Sequence, residues 1–245
     1  MTSEDTAPAF GRVGELTVPV RRQACSFLGV TEEVRSPARS RRLPRAVRER
    51  QILDAAVEVF SQHGYHSASM DEISDVAGVS KPMIYSYLGA KEDLFAKCIR
   101  REAARLLEAV RMGIRSELPP DMQLWHGLRA FYRFVAEHRD SWTVLHRQAL
   151  TVGGQFAGEI NQLRSKAIDM VAALVVTAGT KKGLGPAAEF SGPALAVSLV
   201  GAAESLADWW LDHSDVSEGV LASWLMNLVW LGFNDLLEGE IWQPS

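Results

Sequence analysis

The chain has 245 residues, 47% of them hydrophobic, enough to bury a sizeable core, and its net charge of −4 gives no reason on its face to expect nucleic acid. Two cysteines in unlike contexts exclude a disulfide scaffold, no apolar run of membrane-spanning length is expected, and the N-terminus lacks the apolar stretch of a signal peptide, so the reading is a cytoplasmic protein. The charge is uneven: residues 35–50 hold seven arginines against Glu49 alone, whereas beyond Lys182 there are nine acidic residues and no Lys or Arg. One end is suited to meet an anion and the other is not.

Residues 1–43 show no sustained period and mix Pro, Ser, Gly, Thr and charges, the composition of a disordered arm. Its basic close, Arg35 to Arg42, is either a solvated tail, the product of a start codon assigned too far upstream, or an arm that lies along phosphates. From Arg45 to His63 apolar residues recur at Ile52, Ala55, Ala56, Val59 and Phe60, one face of a helix that Gly64 ends, with Tyr65 folding back onto the cluster. Arg45 and Arg48 stand at its start.

A pair of short helices follows. Ser69 caps the first, with Glu72 completing an S-x-x-E capping box; Ile73, Val76 and Ala77 form its apolar side, and Gly78 stops it in a left-handed conformation. Ser80 is expected to cap the second, Pro82 fits its first turn, and Ile84 and Leu88 are its buried side. Lys81, Met83, Tyr85, Ser86 and Tyr87 then crowd an outer face with no acid among them, and Lys91 opens the next helix. Such a face can enter a major groove, with N-terminal residues on base edges and hydroxyls and cations on phosphates.

The ordered segment A-G-V-S-K-P-M-I-Y-S-Y-L followed by K-E-D-L, within a match over about Arg45 to Phe95, closely resembles the DNA-binding domain of the TetR family of transcriptional repressors. The resemblance implies that Lys81 and Met83 face bases, that Ser69, Tyr85, Tyr87 and Lys91 hold phosphates, with Arg45, Arg48 and Ser80 also at the interface, and that a second domain encloses an inducer cavity. Ala68 and Ala90 stand where that family usually has a hydroxyl, Pro82 replaces its common Gly and Leu88 its common Phe, which puts individual contacts in doubt.

Beyond this head, Lys91 to about Ile114 carries an apolar stripe through Leu94, Phe95, Cys98, Ile99, Ala103, Leu106, Leu107 and Val110. At some 25 residues it is roughly 37 Å long, enough to leave the small domain. Pro119 and Pro120 mark a break. Helices are then expected over Gln123 to Glu137, Trp142 to Leu150, Ile160 to Ala178, Gly192 to His213 and Val216 to Gly239, with a loop from Thr180 to Pro186. No strand pairing is evident, so the fold class is all-α: a disordered basic arm (1–43), a helix-turn-helix three-helix domain (44–92), and a helical ligand-binding and dimerisation domain (93–245).

The last two helices are apolar over more than one face, and a second copy is the economical cover. The expected homodimer line runs through Leu195, Leu199 and Leu206 of one helix and Leu221, Leu225 and Leu228 of the other. Trp125, Phe131, Phe134 and Trp142 are either core packing or the lining of the effector cavity that the resemblance implies, which would favour an apolar or aromatic ligand, while Arg129, Arg133 or His138 at its rim would instead admit a carboxylate or an acyl thioester of coenzyme A. The six histidines show no H-x-x-x-H or H-E-x-x-H spacing, and neither a nucleophile motif nor a phosphate-cradling glycine loop occurs, so no metal, cofactor or catalytic residue is expected. The resulting reading is a regulator that binds a palindromic double-stranded DNA operator as a homodimer, represses, and is released by a small apolar or aromatic effector, with no membrane partner. Its rivals are a helical protein-binding adaptor and a helical-bundle enzyme.

Overall fold

The computed structural model describes residues 44–152, 154–181, 183, 185–213 and 215–237, and among these there are helices and no strand. The expected basic arm over 1–43 lies outside them. Helix α1 (Arg45–Ser67) buries Ile52, Ala55, Ala56, Val59 and Phe60, the expected face. The first helical run is interrupted at Gly64 (φ 75°, ψ 165°), as expected, in a conformation open to a residue without Cβ, and one further turn follows to Ser67. The kink turns Tyr65 back so that its ring lies 4.9 Å from Phe95 and 5.5 Å from Phe156.

Helices α2 (Met70–Ala77) and α3 (Lys81–Leu88) bury Ile73 and Ala77, and Ile84 and Leu88, respectively. Ser69 Oγ accepts the Glu72 N–H at 3.0 Å, the expected cap. Gly78 at φ 61° closes α2, its N–H donating to Asp75 O and the Val79 N–H to Ser74 O. Ser80 is the N-cap residue of α3 but not through its hydroxyl: its carbonyl accepts from Met83 and Ile84 N–H, and the side chain makes no capping bond. Pro82 already removes one of the N–H groups that such a cap would serve. Ala90 leads into α4 (Lys91–Gly113) without a hydroxyl, yet half of a capping box survives, since Asp93 Oδ2 accepts the Ala90 N–H at 3.0 Å. Ala68 is buried in the core.

The body is built from α5 (Pro120–Glu137), a segment formed by α6 (Arg139–Trp142), a π-helical stretch (Thr143–Gln148) and α7 (Ala149–Val152), then α8 (Gln155–Lys181), α9 (Gly185–Trp210) and α10 (Glu218–Leu237). The expected loop from Thr180 to Pro186 is shorter than read, because α8 runs to Lys181 and α9 starts at Gly185, seven residues before Gly192, with Pro193 inside it. Propensity places a break at Gly and Pro, but packing along α8 carries the helix through them. Among the described residues α9 also meets the length and composition of a membrane span, contrary to the sequence expectation. Here it packs on α8, α5 and α10, and its buried side includes Leu199, Ala203 and Ala207.

Helix α4 joins head to body through one charged hub. Glu102 is fully buried on α4, with Arg101 Nε at 2.6 Å from one carboxylate oxygen and Arg105 Nη1 at 2.8 Å from the other. Arg101 also pairs with Asp54 of α1 at 2.7 Å and reaches the Arg50 carbonyl, while Arg105 Nη2 lies 3.3 Å from His138 Nε2 after α5. Removing one partner of a buried pair strands the other charge, at about 3 kcal/mol or more. Arg101→Met, which leaves Glu102 with one cation, should therefore lower the urea midpoint more than Glu102→Met, which leaves two arginines that both reach solvent; the reverse order would show the hub to be dispensable.

Candidate functional site

The reading surface is assembled by helix starts. Helix α3 is held by the buried Ile84 and Leu88, by Lys97 Nζ donating to Leu88 O (2.9 Å), and through α2, whose last turn accepts from Gln51 Nε2 of α1 at Ala77 O (2.7 Å). This leaves Tyr85 exposed and Lys81, Met83 and Tyr87 partly exposed. No acidic residue lies on α3.

The basic groups around it are parked on neighbours. Lys81 Nζ lies 2.9 Å from the Asp71 carboxylate, a hydrogen bond that raises its proton affinity, Arg45 pairs with Glu49 at 2.8 Å and stacks 5.0 Å from the Tyr87 ring, and Lys91 Nζ donates to His66 O with Tyr65 5.0 Å away. Ser69 is exposed with its hydroxyl engaged in the cap, Ser80 is exposed, and Arg48 is partly buried on the first turn of α1. Solvated pairs of this kind are weak, so each cation can exchange its partner for a phosphate.

A second feature lies in the body: a narrow cavity, partly open to solvent, between α4, α5, the α6 segment, α8 and α9. Leu106, Leu107, Val110 and Ile114 form one wall and Leu163, Ala167, Met170, Val171 and Leu174 another. Of the five predicted ligand residues, Phe131 and Trp142 line it. Trp125 is turned elsewhere, its Nε1–H 3.5 Å from Ser223 Oγ of α10 and its ring under Arg129 at 4.9 Å. Phe134 is core, its ring 4.7 Å from His138, which faces Arg105 rather than the cavity, and Arg133 is exposed. Three of the four aromatic residues of α5, Trp125, Tyr132 and Phe134, stay off the cavity because an 18-residue helix wedged between α4 and α10 buries more than one face.

The polar groups of the cavity escaped the sequence reading: Gln123, His146, Arg164 and Glu204. Arg164 and Glu204 are two among several charges on α8 and α9, so the sequence held no signal that set them apart. Their side chains approach to 3.1 Å, and burial holds the Glu204 carboxyl above its usual range despite Arg164. His146 stacks on Trp142 at 4.8 Å; burial lowers its proton affinity, against the pull of Asp208. Cys98 is fully buried and its thiol is pushed up by burial, which makes it inert core. Among the described residues no group of three or more His, Cys, Asp or Glu side chains could hold a metal.

The predicted dimer line is corrected. Leu195, Leu199, Leu221 and Leu225 are buried within the single chain and Leu206 is partly buried against the core, so this face meets the chain's own helices. Leu228 of the predicted line is exposed, at 73%, and shares the open surface with Val197 and Trp209 of α9 and Val220 and Trp224 of α10. Of the six predicted residues, Leu228 alone stands on the open face.

A helix-turn-helix head whose α4 continues into a cavity-bearing helical body is the architecture of a DNA-binding transcriptional regulator. Residues 52–98 match the family described as bacterial regulatory proteins, tetR family, and residues 120–232 match the tetracyclin repressor-like C-terminal domain. A TetR-like transcriptional regulator from Rhodococcus sp. RHA1 is 41% identical, with a TM-score of 0.68 over 79% of this chain and 99% of that one. The chain belongs to the TetR family of transcriptional regulators. Among curated relatives, the transcriptional activator FasR of Mycolicibacterium smegmatis is 33% identical over 56% of this chain and the repressor NicS of Pseudomonas putida 33% over 54%, each alignment spanning 63% of the relative's length. FadR of Bacillus subtilis, solved with stearoyl-CoA, shares the fold at 19% identity and a TM-score of 0.63, covering 78% of this chain and 98% of that one.

The lowered proton affinity of His146 has a sign. A folded-state pKa below the usual 6.5 means that the unfolded chain binds more protons as pH falls through that value, so the contribution is complete above it and is lost below. Between pH 7 and 5 the urea midpoint of wild type should fall more steeply than that of His146→Gln; parallel profiles would contradict the assignment.

Proposed function

We propose that this chain is a ligand-responsive repressor that binds a palindromic operator as a homodimer, with a reading head over 44–92 and an effector and dimerisation domain over 93–245. The single observation that carries the proposal is the acid-free outer face of α3, braced from three helices and ringed by cations held only in exchangeable surface pairs. Lys81 and Met83 face bases from the first turn of α3. Ser69, Ser80, Tyr85, Tyr87 and Lys91 meet phosphates, joined by Arg45 and Arg48 from the start of α1.

The dimer forms across the exposed side of α9 and α10, where Val197, Trp209, Val220, Trp224 and Leu228 leave an apolar surface of the sort that a second copy covers. An apolar effector fills the cavity and shifts the population toward a state in which α4 holds the two heads at a spacing unfit for adjacent major grooves. Repression follows when the operator overlaps a promoter; FasR, an activator, and NicS, a repressor, match this chain at equal identity. The work is done in the cytoplasm, where the operator is.

Titration of labelled duplex DNA from upstream of the protein's own gene tests this. Wild type should bind in a strongly salt-dependent manner, and Lys81→Ala or Tyr85→Ala should weaken binding about tenfold or more. An absence of binding at low salt, or indifference to both substitutions, would favour a protein-binding adaptor. For the dimer, Leu228→Glu should produce monomers in sedimentation velocity at concentrations where wild type is dimeric, whereas an unchanged sedimentation coefficient would move the interface elsewhere.

A further inference from the structure

Lys81 is the one cation on α3, and it stands in a pair that spans the helix-turn-helix. Its Nζ donates to Asp71 Oδ2 at 2.9 Å and lies 2.9 Å from Oδ1 as well, so the ammonium sits across both oxygens of a carboxylate from the first turn of α2. Both side chains reach solvent, Asp71 at 71% and Lys81 at 40% exposure. The backbone beneath Asp71 is braced, with Ser74 Oγ donating to its carbonyl at 2.7 Å. A carboxylate here works against the surface it stands on, since every negative charge facing DNA weakens the attraction to phosphates. Nor does the start of α2 depend on it: Glu72 brings a second acid to the same turn and faces His63 at 2.8 Å instead.

An ammonium carries three N–H donors. With one given to Asp71, two remain, and the acceptor they meet decides whether the pair survives. Guanine presents two neutral acceptors, O6 and N7, in the major groove, so Lys81 can read it with the ion pair intact. A phosphate brings a second anion to the same ammonium, and the Asp71 carboxylate repels it. To hold that phosphate, Lys81 must leave Asp71 facing the DNA backbone or balance two anions with one charge. No other side chain of α3 can take over the reading of guanine by a cation, because Pro82, Met83, Tyr85, Ser86 and Tyr87 offer only apolar surface and hydroxyls.

Resting on the reading of α3 as the groove-facing helix, we infer that Asp71 is a positioning residue for sequence discrimination. It aims Lys81 at guanine and withholds it from phosphates, which lowers affinity for random DNA more than affinity for the operator.

The test uses the full chain with two duplexes of equal length, the fragment from upstream of its own gene and an unrelated sequence, each titrated over a range of salt. Asp71→Asn should raise affinity for the unrelated duplex about tenfold at low salt and steepen its salt slope by about one, as Lys81 becomes a phosphate ligand. Operator affinity should change by about threefold or less, so the ratio of the two falls. Substituting 7-deazaguanine for guanine in the operator, which deletes N7, should weaken wild type about fivefold or more and Asp71→Asn by less. Asp71→Glu, which keeps the carboxylate, should restore most of the ratio. Glu72→Gln removes an equal charge from the same turn and should leave the ratio within about twofold of wild type. An equal gain on both duplexes, or the same loss of discrimination from Glu72→Gln, would overturn the inference and leave operator recognition standing. So would a ratio that falls only through weaker operator binding together with a lowered urea midpoint, the mark of a structural role. If wild type binds neither duplex at low salt, the reading of α3 itself falls and takes the inference with it.

Discussion

Glu102 is the constraint on which the arrangement of the chain turns. A carboxylate with no exposed surface can stay in a helix-packed interior only if cations reach it, and here Arg101 and Arg105 do so from either side on the same helix. Each arginine then extends to a different part of the molecule, Arg101 to Asp54 and the Arg50 carbonyl on α1, Arg105 to His138 beyond α5. The rotation of α4 about its own axis is thus set by charge as well as by its apolar stripe. The aromatic group Phe60, Tyr65, Phe95 and Phe156 performs the same joining by packing, one turn or two nearer the DNA-reading end.

From that fixed rotation two consequences follow along α4. At its start, Lys97 and the Asp93 carboxylate secure the end of α3 and the turn after it, so any displacement of α4 is carried to the reading helix. Farther along, Leu106, Leu107, Val110 and Ile114 are a wall of the cavity. One helix therefore carries both surfaces, with the buried hub between them. A ligand needs only to prefer one position of α4 to bias the heads, since a packed and charge-locked helix has discrete seats rather than a continuum.

The π-helical stretch from Thr143 to Gln148 gives a second route between the same surfaces. Leu145 within it and Trp142 just before it face the cavity, while Asp140 accepts the Ser61 hydroxyl of α1 at 2.7 Å. An extra residue per turn is the sort of local irregularity that concentrates at functional sites, and here it rotates His146 toward the cavity with Arg147 toward Asp208.

Much of this was present in the chain itself. The Ser69 cap, the left-handed Gly78, the apolar faces of α1 and α3 and the acid-free exterior of α3 are local facts, decided by propensities and by backbone groups within a few residues of one another, and they are where the sequence identified the family; of the expected capping box only the Ser69 half forms, since the Glu72 carboxylate pairs with His63 at 2.8 Å. What the sequence could not decide was direction. A helix apolar on several faces does not declare which face its own neighbours cover, so Leu195, Leu199, Leu221 and Leu225 turn inward and Trp224 and Leu228 outward, and Trp125 and Phe134 leave the cavity to Phe131 and Trp142. Nor could an arginine and a glutamate 40 residues apart announce that Arg164 and Glu204 would share one wall. Those pairings depend on how long helices cross, and only the packed tertiary structure determines that.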